Sequence, residues 1–480
     1  MSSGPVASST TLPAKKGMFQ TDDGRNVLFV FVLVSSLFLL WGLCNGLIDV
    51  MDKHFQDELH LTKSGSAWVQ FAHYLGYCVM SLPAGWLAIK LGYKGGIVTG
   101  LLIVAAGGLW FIPATRINEM VRTGSISSST AFVGFLFGVF LIATGLSFLE
   151  TIANPYTTVL GDSHYAATRI NLAQSCNGIG WILGPLVGGV FFYSTDAAGR
   201  STGSERLYIP YASIAAVVIV LAVIFYFANV PDIKTKDDYH LDDSTPNVSH
   251  SIWSHPHFVM AVAAQFLYVA AQAGIFSFFI NYMTAEVPSL PQSWNSGMNG
   301  LASSAGFLHD WLTGWFQTAP SGALAISNKG ASNLASVAFV CFLVGRFSGA
   351  GLLKKYSAHK ILGLYGAINV VVTFLVFCKL GWLSVACVFL SYFFMSIMFP
   401  TIFALGIYGL GARAKRASSF IVMAIMGGAI LPKLMGYVAD KFDMSRGFIV
   451  PMFCFVFVAY YGFNWPRFSK TESLREVKAH

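Results

Sequence analysis

Twelve apolar stretches broken by Gly, Pro or charge run along the chain, at about residues 27–55, 66–89, 95–114, 129–160, 170–194, 209–229, 257–284, 333–353, 360–378, 381–409, 418–438 and 448–465. A helix needs about 20 apolar residues to cross a hydrocarbon core, so each stretch is a candidate span. Hydrophobic residues make up 55 % of the chain and charged ones 11 %, against about 25 % charged in soluble domains. So little charge cannot cover a water-facing surface, which excludes a soluble enzyme. The expected fold class is an all-α membrane protein of twelve transmembrane helices in two six-helix halves, with the lipid bilayer as its main surroundings.

The polar segment after the sixth stretch divides the chain. The expected organisation is an N-terminal tail 1–26, a first half 27–230, a linker 231–256, a second half 257–466 with an external loop 286–332, and a tail 467–480. With the N-terminus inside, about 18 Lys and Arg fall in inner loops and tails against about 10 outside, so both termini are expected in the cytoplasm of a cell (inner or plasma) membrane. The net charge of +8 comes without a long basic run, which argues against a nucleic-acid partner. The polar start is not a cleavable signal peptide, so the first span is expected to direct insertion. The seven cysteines lie in apolar stretches without metal-ligand spacing and are expected to be reduced packing residues. An internal repeat supports the two halves: Ala84-Gly85 and Lys94 recur as Ala350-Gly351 and Lys360, and Pro155 and Gly161 as Pro400 and Gly406.

Ionisable groups inside spans are costly, about 2.5 to 3.5 kcal/mol on insertion scales, and mark function by default. Asp49 falls in the outer half of span 1 and Glu150 near the middle or inner half of span 4. Both are candidates for proton coupling, although Asp49 beside Asp52, Lys53 and His54 also reads as a solvated cap, and Glu150 as a helix-tying group. Pro155 cannot donate to the carbonyl of Thr151, so a kink is expected there that frees a backbone acceptor beside Glu150 and Asn154. Asn171, Gln174 and Asn177 recur with a three-residue period, placing amides along one face of span 5. Amides and a carboxylate can hydrogen-bond several hydroxyls of a sugar, while aromatic rings offer it flat apolar faces. The plain alternative is interhelical hydrogen bonding. Asn45, Gln272 and Asn281 are further positions that can face a cavity, as is Gln265. His73 reads as a packed, hydrogen-bonded histidine with a proton relay as the alternative, Arg346 as a snorkelling or interface-anchoring charge, and Lys433 as a snorkelling one. No P-loop, zinc motif or nucleophile elbow is present, so neither an enzyme nor a cofactor is expected.

The strings LFLLWGLCNGLIDVMDKHFQ, LPAGWLAIKLGYKGGIVTGL, FLETIANPYTTVLG, RINLAQSCNGIG and MSIMFPTIFALGIYGLG resemble the fucose–proton symporter family of the major facilitator superfamily. The resemblance covers nearly the whole chain outside the tails and the loop from Glu286 to Ser332. It implies a twelve-helix fold with alternating access and coupled uptake of a monosaccharide. It places Asp49 at the family's coupling aspartate, Glu150 at its span-4 glutamate, and Gln174 and Asn177 at its sugar-site amides. Departures are Asn45-Gly46 in place of an Asn-Asn pair, Asn281 in place of an arginine, and Ile89 in place of the loop motif's aspartate. The related glucose/galactose branch often has an amide where Glu150 stands, so the particular sugar stays open. The expected function is proton-coupled symport of L-fucose or a related hexose such as galactose or glucose, by a protein acting as a monomer. A sodium-coupled or uncoupled hexose carrier and a non-transporting sugar receptor are the alternatives.

Overall fold

The computed structural model describes residues 18–20, 25–122, 124–161, 166–193, 206–230, 252–304, 312–319, 322–353, 355–408, 410 and 414–469. Most of the linker therefore lies outside the described residues. The first half holds span 1 (Leu28–Glu58), spans 2 and 3 within Trp68–Arg122, span 4 (Ser128–Val159), span 5 (Ala166–Phe191) and span 6 (Tyr208–Phe227). The second holds span 7 (Pro256–Ser277, then Phe279–Ala285), span 8 (Asn328–Leu353), span 9 (Ala358–Phe377) and span 10 (Trp382–Met395, then Met398–Ile407). Span 11 runs from Ala414–Met423 through a tight turn into Gly427–Lys441, and span 12 is Ile449–Ser469.

Local chemistry sets the boundaries. Asn26 accepts the Leu28 amide at 2.9 Å at the start of span 1, and Ser127 caps span 4 by accepting the Thr130 amide at 3.3 Å. Pro256 opens span 7, where its missing N–H costs nothing. Spans 2 and 3 are separated only by Gly92, whose φ of 70° lies in the left-handed region that glycine enters without penalty. Among the described residues ten helices are long and apolar enough to cross a membrane. The other two are spans 2 and 5, the spans that carry Gln70 and His73, and Gln174 and Asn177.

Packing repeats with a period of six spans. Span 1 packs on span 5 as span 7 packs on span 11, and span 3 on span 6 as span 9 on span 12. Across the halves, span 5 meets span 8 and span 2 meets span 11; adding six to 2 and subtracting six from 11 turns one pair into the other. That exchange is what a two-fold relation between parallel halves requires. Span 1 approaches span 5 through glycines four residues apart. A Cβ on Gly42 would lie 2.1 Å from the Asn177 carbonyl oxygen, and one on Gly184 2.5 Å from the Gly46 Cα. In lipid, where burial of apolar surface does not drive association, such backbone contact is a main source of helix pairing.

The loop between spans 7 and 8 is structured. It contains the helix Gln292–Ser304 and an antiparallel hairpin pairing Phe316–Thr318 with Leu324–Ile326. Trp294 is half exposed, with its ring 6.2 Å from that of Trp382 at the start of span 10; Trp311 lies outside the described residues. The end of the bundle that carries this segment is called the loop end below, and the opposite one the linker end.

Candidate functional site

Span 1 carries a polar stripe. Asn45, Asp49, Asp52 and Gln56 are spaced four, three and four residues apart, so they fall on one helical face, and all four are buried. Gln70 of span 2, itself 1 % exposed, donates from Nε2 to Asp49 Oδ1 at 3.0 Å and to Asp52 Oδ2 at 3.5 Å. The other carboxylate oxygens, Asp49 Oδ2 and Asp52 Oδ1, and the amide oxygen of Asn45 are buried without a hydrogen-bond partner. Among the described residues no Lys or Arg pairs with either carboxylate; Lys53 turns to Asp57 instead, at 2.7 Å. Asp49 is therefore not a solvated helix cap, and neither Asp52 nor His54 is exposed, at 0 % and 2 %.

Glu150 belongs to a second patch, toward the linker end of the stripe. It is half-buried and lines a cleft with Leu37, Phe38, Trp41, Leu149 and Ala153. Trp41 precedes Asn45 by one turn and donates its indole N–H to the Tyr77 hydroxyl at 2.6 Å. His73 packs between Tyr74 and Tyr77, with ring centroids 5.0 Å from each. Its Nδ1 has no partner, so the expected hydrogen-bonded histidine is packed but not satisfied at that atom. The aromatic and imidazole face of span 2 thus joins the Glu150 cleft to the Asp49 stripe.

Span 5 closes one side. Gln174 is half-buried, while Asn177 is buried and donates to the Phe38 carbonyl at 3.3 Å, tying span 5 to span 1. The side chains of Asn154, Pro155 and Asn171 lie outside those described. One turn past Asn177, Trp181 meets Phe276 and Phe339 of the second half at 5.5 and 5.0 Å between ring centroids. Phe276 in turn stacks on Tyr392 at 4.5 Å. The first half therefore supplies carboxylates and amides and the second half an aromatic wall. Earlier on span 7, Gln265 is fully buried with both amide atoms unpartnered, and Gln272 is half-buried.

One expectation is corrected. Arg346 does not snorkel. Pro400 cannot donate to the carbonyl of Ser396, span 10 breaks there, and Arg346 Nε reaches that carbonyl at 3.4 Å while the Tyr268 hydroxyl donates to the neighbouring Met395 carbonyl at 2.9 Å. The Lys433 ammonium lies 3.8 Å from the Trp68 ring centroid, a contact that crosses between the two halves. Asn281 is buried and exchanges two amide hydrogen bonds with Gln56 of span 1.

Those last contacts belong to a clamp at the loop end. Asp440 of span 11 accepts the backbone amides of Lys63 at 2.9 Å and Ser64 at 2.8 Å, capping the short helix Lys63–Ser66 from the other half. The Lys63 ammonium adds an ion pair at 3.6 Å. Asn328 donates to Asp57 at 2.6 Å, and Ser332 and Ser336 donate to the Pro185 and Ile182 carbonyls at 2.6 and 2.7 Å. The buried stripe is sealed from this side.

Twelve spans in two parallel halves, clamped at one end over buried carboxylates, amides and aromatic rings, define a secondary transporter that alternates access to a central site. The Major Facilitator Superfamily family model matches residues 28–325. Over 91 % of its length the chain is 33 % identical to the L-fucose-proton symporter of Escherichia coli K12, covering 93 % of that protein. It is 29 % identical over 95 % of its length to the glucose/galactose transporter of Brucella abortus, covering 98 % of it. Among solved structures, the facilitator-superfamily transporter FucP in an outward conformation aligns with a TM-score of 0.62 at 31 % identity, over 92 % of this chain and 99 % of that one. The chain belongs to the fucose–proton symporter family of the Major Facilitator Superfamily, and is a multi-pass membrane transporter, not an enzyme.

Proposed function

We propose that this protein carries a monosaccharide, L-fucose or a related hexose such as galactose or glucose, into the cell together with a proton by alternating access. The observation that carries this reading is the buried face of span 1, where Asp49 sits with an unpartnered oxygen and no paired cation among the described residues, one helical turn from Asn45 and two from Trp41 at the Glu150 cleft. A carboxylate in such a place is costly as an anion, so it takes up a proton when its side of the membrane opens and releases it on the other side. Glu150, Gln174, Asn177, Asn45, Asn154 and Gln272 would hold the sugar hydroxyls, with Trp41 and the aromatic wall against its ring. Asn281 joins them once its bonds to Gln56 break. Glu150 links protonation to sugar binding.

The charge distribution of the loops supports cytoplasmic termini and linker in the cell membrane, with the loop 286–332 outside. The clamp at the loop end then closes the outer entrance, and the halves 27–230 and 257–466 rock about the stripe as a monomeric unit. A second reading, a hexose carrier driven by sodium or by no ion, has one support: the Brucella relative bears the name of a glucose/galactose transporter without a coupling ion. Uptake of fucose, galactose and glucose into proteoliposomes under separately imposed pH and sodium gradients tests both. Accumulation under an inward proton gradient alone is expected; accumulation that follows sodium alone, or no uphill accumulation at all, would refute proton symport.

A further inference from the structure

Asp52 is a fully buried acid that the scheme above leaves unused. It sits one turn beyond Asp49 on the same face, and the two carboxylates share one donor, Gln70 Nε2, at 3.0 and 3.5 Å. Their nearest oxygens can therefore be no more than about 6.5 Å apart, close enough for the charge of one carboxylate to disfavour ionisation of the other. Each keeps a second buried oxygen with no partner. One amide hydrogen pair cannot compensate two anions in this position, and no Lys or Arg among the described residues does so. Among the described residues, the titratable groups of other elements that interact with the pair are the phenols Tyr74 of span 2, Tyr193 after span 5 and Tyr392 of span 10. On span 1 itself the neighbouring charges, Lys53 and Asp57, pair with each other.

From this geometry we propose that Asp49 and Asp52 act as one proton-binding pair, with Asp52 the positioning residue that sets the proton affinity of the coupling carboxylate. A proton entering from the outer side binds an unpartnered oxygen of the pair and forms a single O–H bond. The remaining negative charge stays delocalised across the two carboxyls and the Gln70 amide. Opening toward the other side lets water accept the proton. Asp52 lies one turn before Gln56 on the same face of span 1, and the Gln56–Asn281 bonds to the second half close the entrance. The charge state of the pair is thereby placed next to the contact that must break.

The inference rests on proton coupling at Asp49, and the test separates the two. Uptake driven by an inward proton gradient is measured as a function of external pH in the wild type, Asp52→Asn, Asp52→Glu and Asp49→Asn. Sugar counterflow at fixed pH reports a folded carrier, and Asp52→Ser replaces the Asn variant if that one does not fold. Removing the Asp52 charge makes Asp49 easier to ionise. The midpoint of the pH profile is therefore expected to move at least one unit toward acid, a tenfold higher proton concentration, while Asp52→Glu keeps the wild-type midpoint. An unmoved midpoint in Asp52→Asn, with accumulation lost in Asp49→Asn, overturns the pair and leaves Asp49 coupling intact. Accumulation retained in Asp49→Asn overturns the coupling reading itself. Sodium-stimulated uptake that Asp52→Asn abolishes would make the pair a cation site and also overturn the proposal.

Discussion

Replacing Asp440 by Ala should open the loop end. Its carboxylate accepts two backbone amides of the opposite half, at 2.9 and 2.8 Å, and its side chain is 23 % exposed. Hydrogen bonds to a charged group contribute about 1.5 to 3 kcal/mol each when well shielded. Here the freed amides regain water once the halves part, so about 2 to 3 kcal/mol in total is a fair figure for the pair. The Lys63 ion pair, at 3.6 Å and partly exposed, adds little. These bonds exist only in the state closed at the loop end, so their loss shifts the closed-to-open ratio by the full amount, about 30- to 150-fold. Spin labels at the exposed positions His60 and Phe442, on opposite halves beside the clamp, report that ratio as a distance distribution. Asp440→Ala should convert a mainly short distance into a mainly long one without loss of sugar binding. An unchanged distribution would mean that the clamp does not hold the halves, and the population argument would fail.

Gly184→Val should lower the melting temperature of the purified protein and its yield. A Cβ there lies 2.5 Å from the Gly46 Cα, and overpacking of this kind costs about 1 to 3 kcal/mol; an unchanged melting curve would refute tight packing of spans 1 and 5. Glu150→Gln should weaken equilibrium sugar binding by at least tenfold, since a charged acceptor in the cleft is replaced by a neutral one; wild-type binding would remove Glu150 from the sugar site. Lys379, in the connection between spans 9 and 10, joins Glu286 at 3.2 Å and Asp443 at 3.0 Å. Partial burial pulls its amine down, but those two carboxylates outweigh it and hold it above the usual lysine range. A group whose affinity for the proton rises on folding stabilises the fold below its unfolded value, about 10.4, and ceases to do so as pH climbs through the folded one. The stability difference between wild type and Lys379→Met should thus be constant from neutral pH to about 10 and shrink above it, as measured by thermal unfolding. A difference that grows with pH would reverse the assignment.

The span pattern was legible because lipid demands long apolar helices, and Gly92, Ser127 and Pro256 mark boundaries in plain sight. Spans 2 and 5 were also found, although their polar residues make them the least membrane-like. The site was legible in part. Asp49, Glu150 and Gln174 lie within spans 1, 4 and 5, whose helices the apolar pattern predicts, and the break in span 10 follows from Pro400. Asp52 and Gln56 were not recognised, because a cluster of charge and His near the end of a span reads as a solvated cap. Their spacing from Asn45 and Asp49 nevertheless carried the signal of a single buried face. Gln70, the Arg346 contact with the Ser396 carbonyl and the Gln56–Asn281 latch were not visible, since each depends on which distant span lies opposite. Sequence periodicity orients a residue on its own helix; it does not name the partner across the bundle.

The central claim is that a buried carboxylate on span 1 couples proton entry to sugar entry. Its most direct measurement is the comparison of two modes in proteoliposomes holding Asp49→Asn: uphill sugar accumulation under an inward proton gradient, and sugar counterflow without one. A side chain of the same shape that cannot take up a proton should abolish the first and leave the second. Full accumulation in that variant would contradict the account.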